Sequence, residues 1–127
     1  MIHPSADHGQ LTVTPPPALA PRVTTDGHAA RAPAVRVGLS AILVTHNSAR
    51  FLRQNLRGLV RLLEGMGAAG FQAELWVVDN ASHDDSLAVV RTIAPHATIV
   101  ALDQNLGYGT AANLAATRCV SDWMLVL

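Results

Sequence analysis

Four short apolar runs, separated from one another by helical patterns, constrain this chain more than any other feature. They read LSAILVT (Leu39–Thr45), AELWVVD (Ala73–Asp79), ATIVALD (Ala97–Asp103) and DWMLVL (Asp122–Leu127). Their length and near-continuous apolar character fit strands buried on both faces. Between the first two, Phe51, Leu52, Leu56, Leu59, Val60 and Leu63 recur at helical spacing and glycines follow, with Ser48 as the expected N-cap. Ser82, His83, Asp84 and Asp85 fit a Ser-x-x-acid capping box, which predicts a second helix from there to about Ile93, ahead of Pro95. An Ala-rich third helix is expected over Gly107–Cys119. The order β-α-β-α-β-α-β predicts an α/β fold, a parallel sheet covered by helices on both faces.

Sheets of this kind bind ligands beyond the carboxyl ends of their strands. The rule selects Thr45, His46 and Asn47, then Asp79 and Asn80, then Asp103, Gln104 and Asn105. Because the sequence stops at the end of an apolar strand, a domain truncated at its C-terminal end is expected. Asp79 is the most demanding of these residues. A carboxylate closing a central strand is half desolvated and needs a donor. Either the loop and helix backbone supply it, or the carboxylate accepts the N3–H of uracil or thymine, a donor that adenine lacks at the corresponding edge.

Six of the seven prolines fall before residue 39, where no apolar period is found, so residues 1–37 are expected to be a disordered Pro/Ala-rich leader and residues 38–127 the domain. Pro15–Pro17 offers a short polyproline stretch, with a solvated leader the favoured reading. Nine Arg, no Lys and nine acidic residues give a net charge of zero, which argues against a broad nucleic-acid footprint. Cys119 is alone and cannot close an intrachain disulfide or build a thiolate metal site, so it is expected to pack as a small hydrophobe. Neither a secretory signal nor an apolar run long enough to span a membrane is present in the sequence.

Several motifs compete for a role. Ser82, His83 and Asp84 have the letters of a hydrolytic triad, but neighbours at a helix start diverge and cannot form the relay. Asp79, His83 and Asp84 are metal-ligating types without a diagnostic spacing. Gly107–Ala112, GYGTAA, matches the letters of a dinucleotide fingerprint and raises an NAD-dependent oxidoreductase, yet it follows the third run instead of the first and lacks the answering acid. Arg50, Arg53, Arg57 and Arg61, at intervals of 3, 4 and 4, make a basic stripe for which a solvated face is favoured over an anionic-membrane or phosphate surface.

Taken together, SAILVTHNSARFLRQNL, LWVVDNASHDDS and NLGYGTAANLAA resemble the nucleotide-sugar-binding half of family-2 glycosyltransferases, especially the rhamnosyltransferase-like branch. The resemblance runs from about Leu39 to Leu127 and implies the N-terminal half of a GT-A fold, a Rossmann-like sheet. It implies a UDP- or dTDP-sugar donor and an acceptor such as a glycan or lipid-linked polysaccharide precursor. The residues it points to are Thr45, with His46 and Asn47 beside it, at the nucleotide, and Asp79 on the pyrimidine. Asn80 and Asp84 would shape the loop, and Asn105, Gly107 and Asn113 the wall by the ribose and diphosphate. His46 stands where Tyr or Phe is frequent, and Asp85 replaces a common Gly. The resemblance further implies a divalent metal, Mg or Mn, held with the catalytic base by residues beyond Leu127, none by this chain alone. A cytoplasmic enzyme at the inner membrane face, peripherally associated, follows from the same source. The rival from another class is a non-catalytic nucleotide-binding or interaction module.

Overall fold

The computed structural model describes residues 12–13 and 38–127. The expected leader, with its polyproline stretch, otherwise lies outside the described residues. The elements are β1 (Thr12–Val13), β2 (Gly38–Thr45), α1 (Ala49–Ala68), β3 (Gln72–Asp79), α2 (Ser86–Ile93), β4 (Thr98–Ala101), α3 (Tyr108–Ala116) and β5 (Trp123–Val126). The sheet runs in the order β1-β4-β3-β2-β5. β2, β3, β4 and β5 are parallel, and β1 pairs antiparallel with the β4 edge, Thr12 opposite Ala101. The α/β, Rossmann-like reading therefore holds, with one strand the sequence did not announce: two residues are too few to show a period.

Strand alternation divides the core in two. On one face Ala41, Leu75 and Val77 pack against Leu52, Leu56 and Leu63 of α1 and Val89 and Val90 of α2. On the other, Ile42, Trp76, Val78 and Val100 meet Ala111 and Ala115 of α3. The small alanines suit close approach of that helix to the sheet, whereas the longer leucines of α1 fill a wider gap. Buried Ser40, in the middle of this apolar sheet, is satisfied at the amino edge: its hydroxyl donates to Glu74 and lies 2.6 Å from the Ser121 hydroxyl. Gly38 N–H donates to Asp122 at 2.7 Å. Together these bonds fasten the turn before β5 to the start of β2. Cys119 is half-buried beside the α3 core, just past the end of the helix predicted to contain it. Burial pushes its thiol pKa up, and the Glu74 charge acts in the same direction.

The second helix corrects its prediction. α2 starts at Ser86, three residues later than a Ser82 N-cap places it, and Asp85 occupies its N-cap without a side-chain capping bond. Ser82 does not cap: its hydroxyl is given to Asp79, at 2.5 Å, and its Oγ accepts the Asn47 N–H, at 3.0 Å, instead of a helix amide. Ala81, at φ 60°, turns the chain away from the helical path. Likewise, Ser48 holds the N-cap position of α1 but donates its hydroxyl to the His46 carbonyl, at 2.9 Å. β4 and α3 are also shorter than predicted, ending at Ala101 and Ala116.

Candidate functional site

β2, β3 and β4 follow one another outward in one direction, and β5 then returns to the far side of β2. Strand order thus reverses beside β2, and the rule for such sheets places a ligand beyond its carboxyl end. Thr45 closes β2 and is paired in register with Asp79, which closes β3. Both are buried, at 3 % and 4 % exposure.

Three loops meet above this pair and are bound to one another. Asn80 is the common partner. Its backbone N–H donates to Thr45 O (2.8 Å), and its Nδ2 donates to Asn105 Oδ1 (2.8 Å). Its Oδ1 accepts from Leu106 N–H (2.9 Å), and its backbone carbonyl accepts from His46 Nδ1 (2.7 Å). The last contact fixes a tautomer: the nitrogen facing a carbonyl carries the proton, so Nε2 is the acceptor and takes the Asn47 amide at 3.2 Å. Asn47, at φ 48°, also receives His83 N–H on its Oδ1 (2.8 Å) and gives its own N–H to Ser82 Oγ (3.0 Å).

Asp84 links two helix starts. Its Oδ2 accepts the Ala49 N–H of α1 at 3.0 Å, and its Oδ1 accepts both the N–H and the hydroxyl of Ser86. Ser86 Oγ in turn accepts Ser48 N–H at 2.8 Å. The Ser86 hydroxyl, followed by the Ala49 amide, holds the Asp84 carboxyl below its ordinary pKa.

The sequence-selected residues therefore separate into groups. Thr45, His46, Asn47, Asp79, Asn80, Asp84, Asn105 and Gly107 converge at the carboxyl edge. Asn113 lies in the second turn of α3, exposed, and makes no side-chain hydrogen bond among the described residues. Both amide groups of Asn80 are engaged by protein, so it organises the loops and has little left for a ligand. Ser82, which the sequence offers as a cap or a triad letter, and Ser86, which it does not single out, satisfy Asp79 and Asp84. Thr45 Oγ1 is different: it is buried with no hydrogen-bond partner among the described residues. A buried hydroxyl left unpaired is costly, and this one sits at the strand end where sheets of this kind take their ligands.

No three His, Cys, Asp or Glu side chains converge to hold a metal ion among the described residues. Asp84 is taken up by serine and backbone donors and Asp79 partly so, and no third ligand joins them, so these residues do not fit a cation cage. The triad letters Ser82, His83 and Asp84 have different partners and form no relay. GYGTAA begins at the N-cap of α3, after the third parallel strand, where the dinucleotide fingerprint does not belong. A groove of about 610 Å³ between the C-terminal ends of α1 and α2 lies at the opposite edge of the sheet and is lined mainly by apolar residues.

The family model for glycosyl transferase family 2 matches residues 40–127, which takes in every loop just described. The chain belongs to this family. No curated protein matches the chain significantly. Glycosyl transfer is thus the activity of the family to which this glycosyltransferase domain belongs, and the carboxyl edge is where most of the residues selected from the sequence gather. No helix among the described residues is long and apolar enough to cross a membrane.

Proposed function

We propose that the carboxyl edge of this glycosyltransferase domain binds the nucleoside diphosphate of a UDP- or dTDP-linked sugar, with Asp79 reading the pyrimidine. The observation that carries the reading is the pair at the ends of β2 and β3: an unpaired buried Thr45 hydroxyl beside the buried Asp79 carboxylate. Asp79 is partly occupied, since Oδ1 accepts the Ser82 hydroxyl and Oδ2 the Ser82 N–H at a long 3.3 Å. A carboxylate offers about four lone-pair sites, so Oδ2 retains capacity for one further donor. The N3–H of uracil or thymine is a donor of the right kind.

In this reading the glycosyl acceptor is a glycan or lipid-linked precursor, encountered at the cytoplasmic face of a membrane, with a rhamnosyltransferase-like enzyme as the nearest type. A divalent cation, Mg or Mn, would supply charge neutralisation for the departing diphosphate, and no group of His, Cys, Asp or Glu within the described residues is arranged to hold it. Within these residues the work is binding and orientation: Asp79 and Thr45 hold the base end, and Asn80 sets the loop carrying Asn105 and Gly107.

Calorimetry with UDP and ADP on the parent protein and on Asp79→Asn tests the proposal. The amide keeps size and one acceptor but loses the charge that strengthens the N3–H bond, so UDP affinity is expected to fall by about 1.5–3 kcal/mol with ADP little changed. A parent that binds both equally, or a variant that keeps its preference for UDP, leaves Asp79 with only its loop-bracing role.

A further inference from the structure

The first helix carries a feature that neither donor binding nor the core uses. Arg50, Arg53, Arg57 and Arg61 are all exposed, and only Arg53 has an ion-pair partner among the described residues, Asp85 at 2.9 Å. Beside them two large apolar side chains also face outward, Phe51 at 60 % exposure and Leu62 at 58 %. The spacing orders these groups. Arg50 and Arg61 are eleven residues apart, as are Phe51 and Leu62, and eleven residues return to nearly the same helix line about 16 Å further along. The helix therefore presents two successive Arg-plus-apolar pairs in one direction, with Arg57 between them on the basic side. Glu64 is the one acidic side chain on α1.

We infer that this flank of α1 docks on an anionic phospholipid surface, Phe51 and Leu62 entering the boundary of the acyl chains while Arg50, Arg57 and Arg61 engage lipid phosphates. Guanidinium groups match phosphate geometry and charge, and arginine stems cover apolar surface while their heads stay at the headgroups. The sequence by itself favours a solvated face for the stripe; the structure adds the uncovered side chains beside it. Those side chains also decide between polyanions, because a nucleic-acid duplex gives Phe51 and Leu62 no apolar phase to enter. Docking along α1, whose N-terminus begins at the carboxyl edge, brings that edge to the bilayer. That consequence, a lipid-linked acceptor meeting a donor at the membrane surface, rests on the donor reading above, whereas the docking does not.

Sedimentation of the full chain with vesicles, without nucleotide, tests the inference. Vesicles containing phosphatidylglycerol in phosphatidylcholine should carry the protein down, and pure phosphatidylcholine should not. Each arginine near an anionic surface strengthens partitioning about fivefold, so Arg50→Gln, Arg57→Gln and Arg61→Gln combined should weaken it on the order of a hundredfold. Phe51→Ser with Leu62→Ser should weaken it as well, with circular dichroism showing that both variants remain folded. Equal sedimentation with the two vesicle types, or an unaffected arginine variant, overturns the inference. Binding to a short DNA duplex that matches vesicle binding and survives the Phe51 and Leu62 changes would assign the stripe to nucleic acid and overturn it too. UDP calorimetry in the absence of vesicles reads the donor site separately, so either idea can fail alone.

Discussion

Two helices begin at the carboxyl edge on opposite faces of the sheet, and their N-termini are finished differently. At α1 the protein supplies its own anion: Asp84, from a loop 35 residues away, accepts the Ala49 amide, and Ser86 accepts the Ser48 amide. At α3 the N-cap is Gly107, and the amides of Tyr108, Gly109 and Thr110 have no acceptor among the described residues. A helix start carries partial positive charge that favours one anion. At α1 a phosphate would meet a carboxylate already in place, whereas at α3 it would not. Under the proposed function, the diphosphate accordingly belongs on the Gly107 side of the crevice, and the α1 start serves to lock two loops together.

The largest effect on this contrast should come from Asn80, which ties the α3 approach to the other loops. Asn80→Ala removes the bond to Asn105 and leaves the Leu106 N–H without its acceptor. Two lost bonds and one unsatisfied group should cost about 2–4 kcal/mol in denaturant unfolding. Hydrogen exchange should quicken at Leu106 and Gly107 and stay slow at Ala49. Equal acceleration at both helix starts would mean that the loops open as one unit, and the contrast would lose its meaning.

Gly107 comes next. At φ 78° and ψ 159° it occupies a region close to glycine alone, although a Cβ there would meet no atom within 4 Å. Backbone strain is therefore the whole expected cost of Gly107→Ala, about 1–3 kcal/mol by thermal unfolding. Should the variant be as stable as the parent, the open α3 start would not depend on that backbone shape.

This division of labour was only half legible in the sequence. β-Branched runs and helical leucine spacing suffice for the order of elements, because both are local patterns that burial enforces. Strand-end rules likewise bring Thr45 and Asp79 forward. What stayed hidden is tertiary. The Ser82–Asp85 letters match a capping box, but Asp79 captures Ser82 once β3 ends beside it, and Asp84 is claimed by an amide from a helix far back in the chain. Nor does any local signal show that both sides of the Asn80 amide are taken, since Asn105 and Leu106 reach it only when the β4–α3 loop folds across. The unpaired Thr45 hydroxyl is equally a property of packing.

Acid should erode the α1 side selectively. Asp84 has a lowered folded pKa, so its contribution is present above the unfolded value near 3.8 and is lost as pH falls through the folded value. Asp84→Asn should therefore be less stable than the parent at pH 7, and the gap should close as both are titrated below pH 3.8 in denaturant unfolding. A gap that persists unchanged at low pH would attribute the Asp84 effect to shape instead of charge.

The smallest expected change is at Ser48, and its smallness is the point. A serine at an N-cap normally contributes about 1 kcal/mol through its side chain. Here that hydroxyl turns back to the His46 carbonyl, while Asp84 and Ser86 satisfy the amides of Ala49 and Ser48 from outside the helix. Ser48→Ala should thus cost under about 0.5 kcal/mol, the range of a substitution that removes one exposed local bond. Ser86→Ala, which strips a fully buried hydroxyl from both Ser48 N–H and Asp84, should cost more than Ser48→Ala in the same unfolding assay. The reverse ranking would show that α1 caps itself, and the Asp84 carboxylate would then be free to leave its amide when a phosphate arrives.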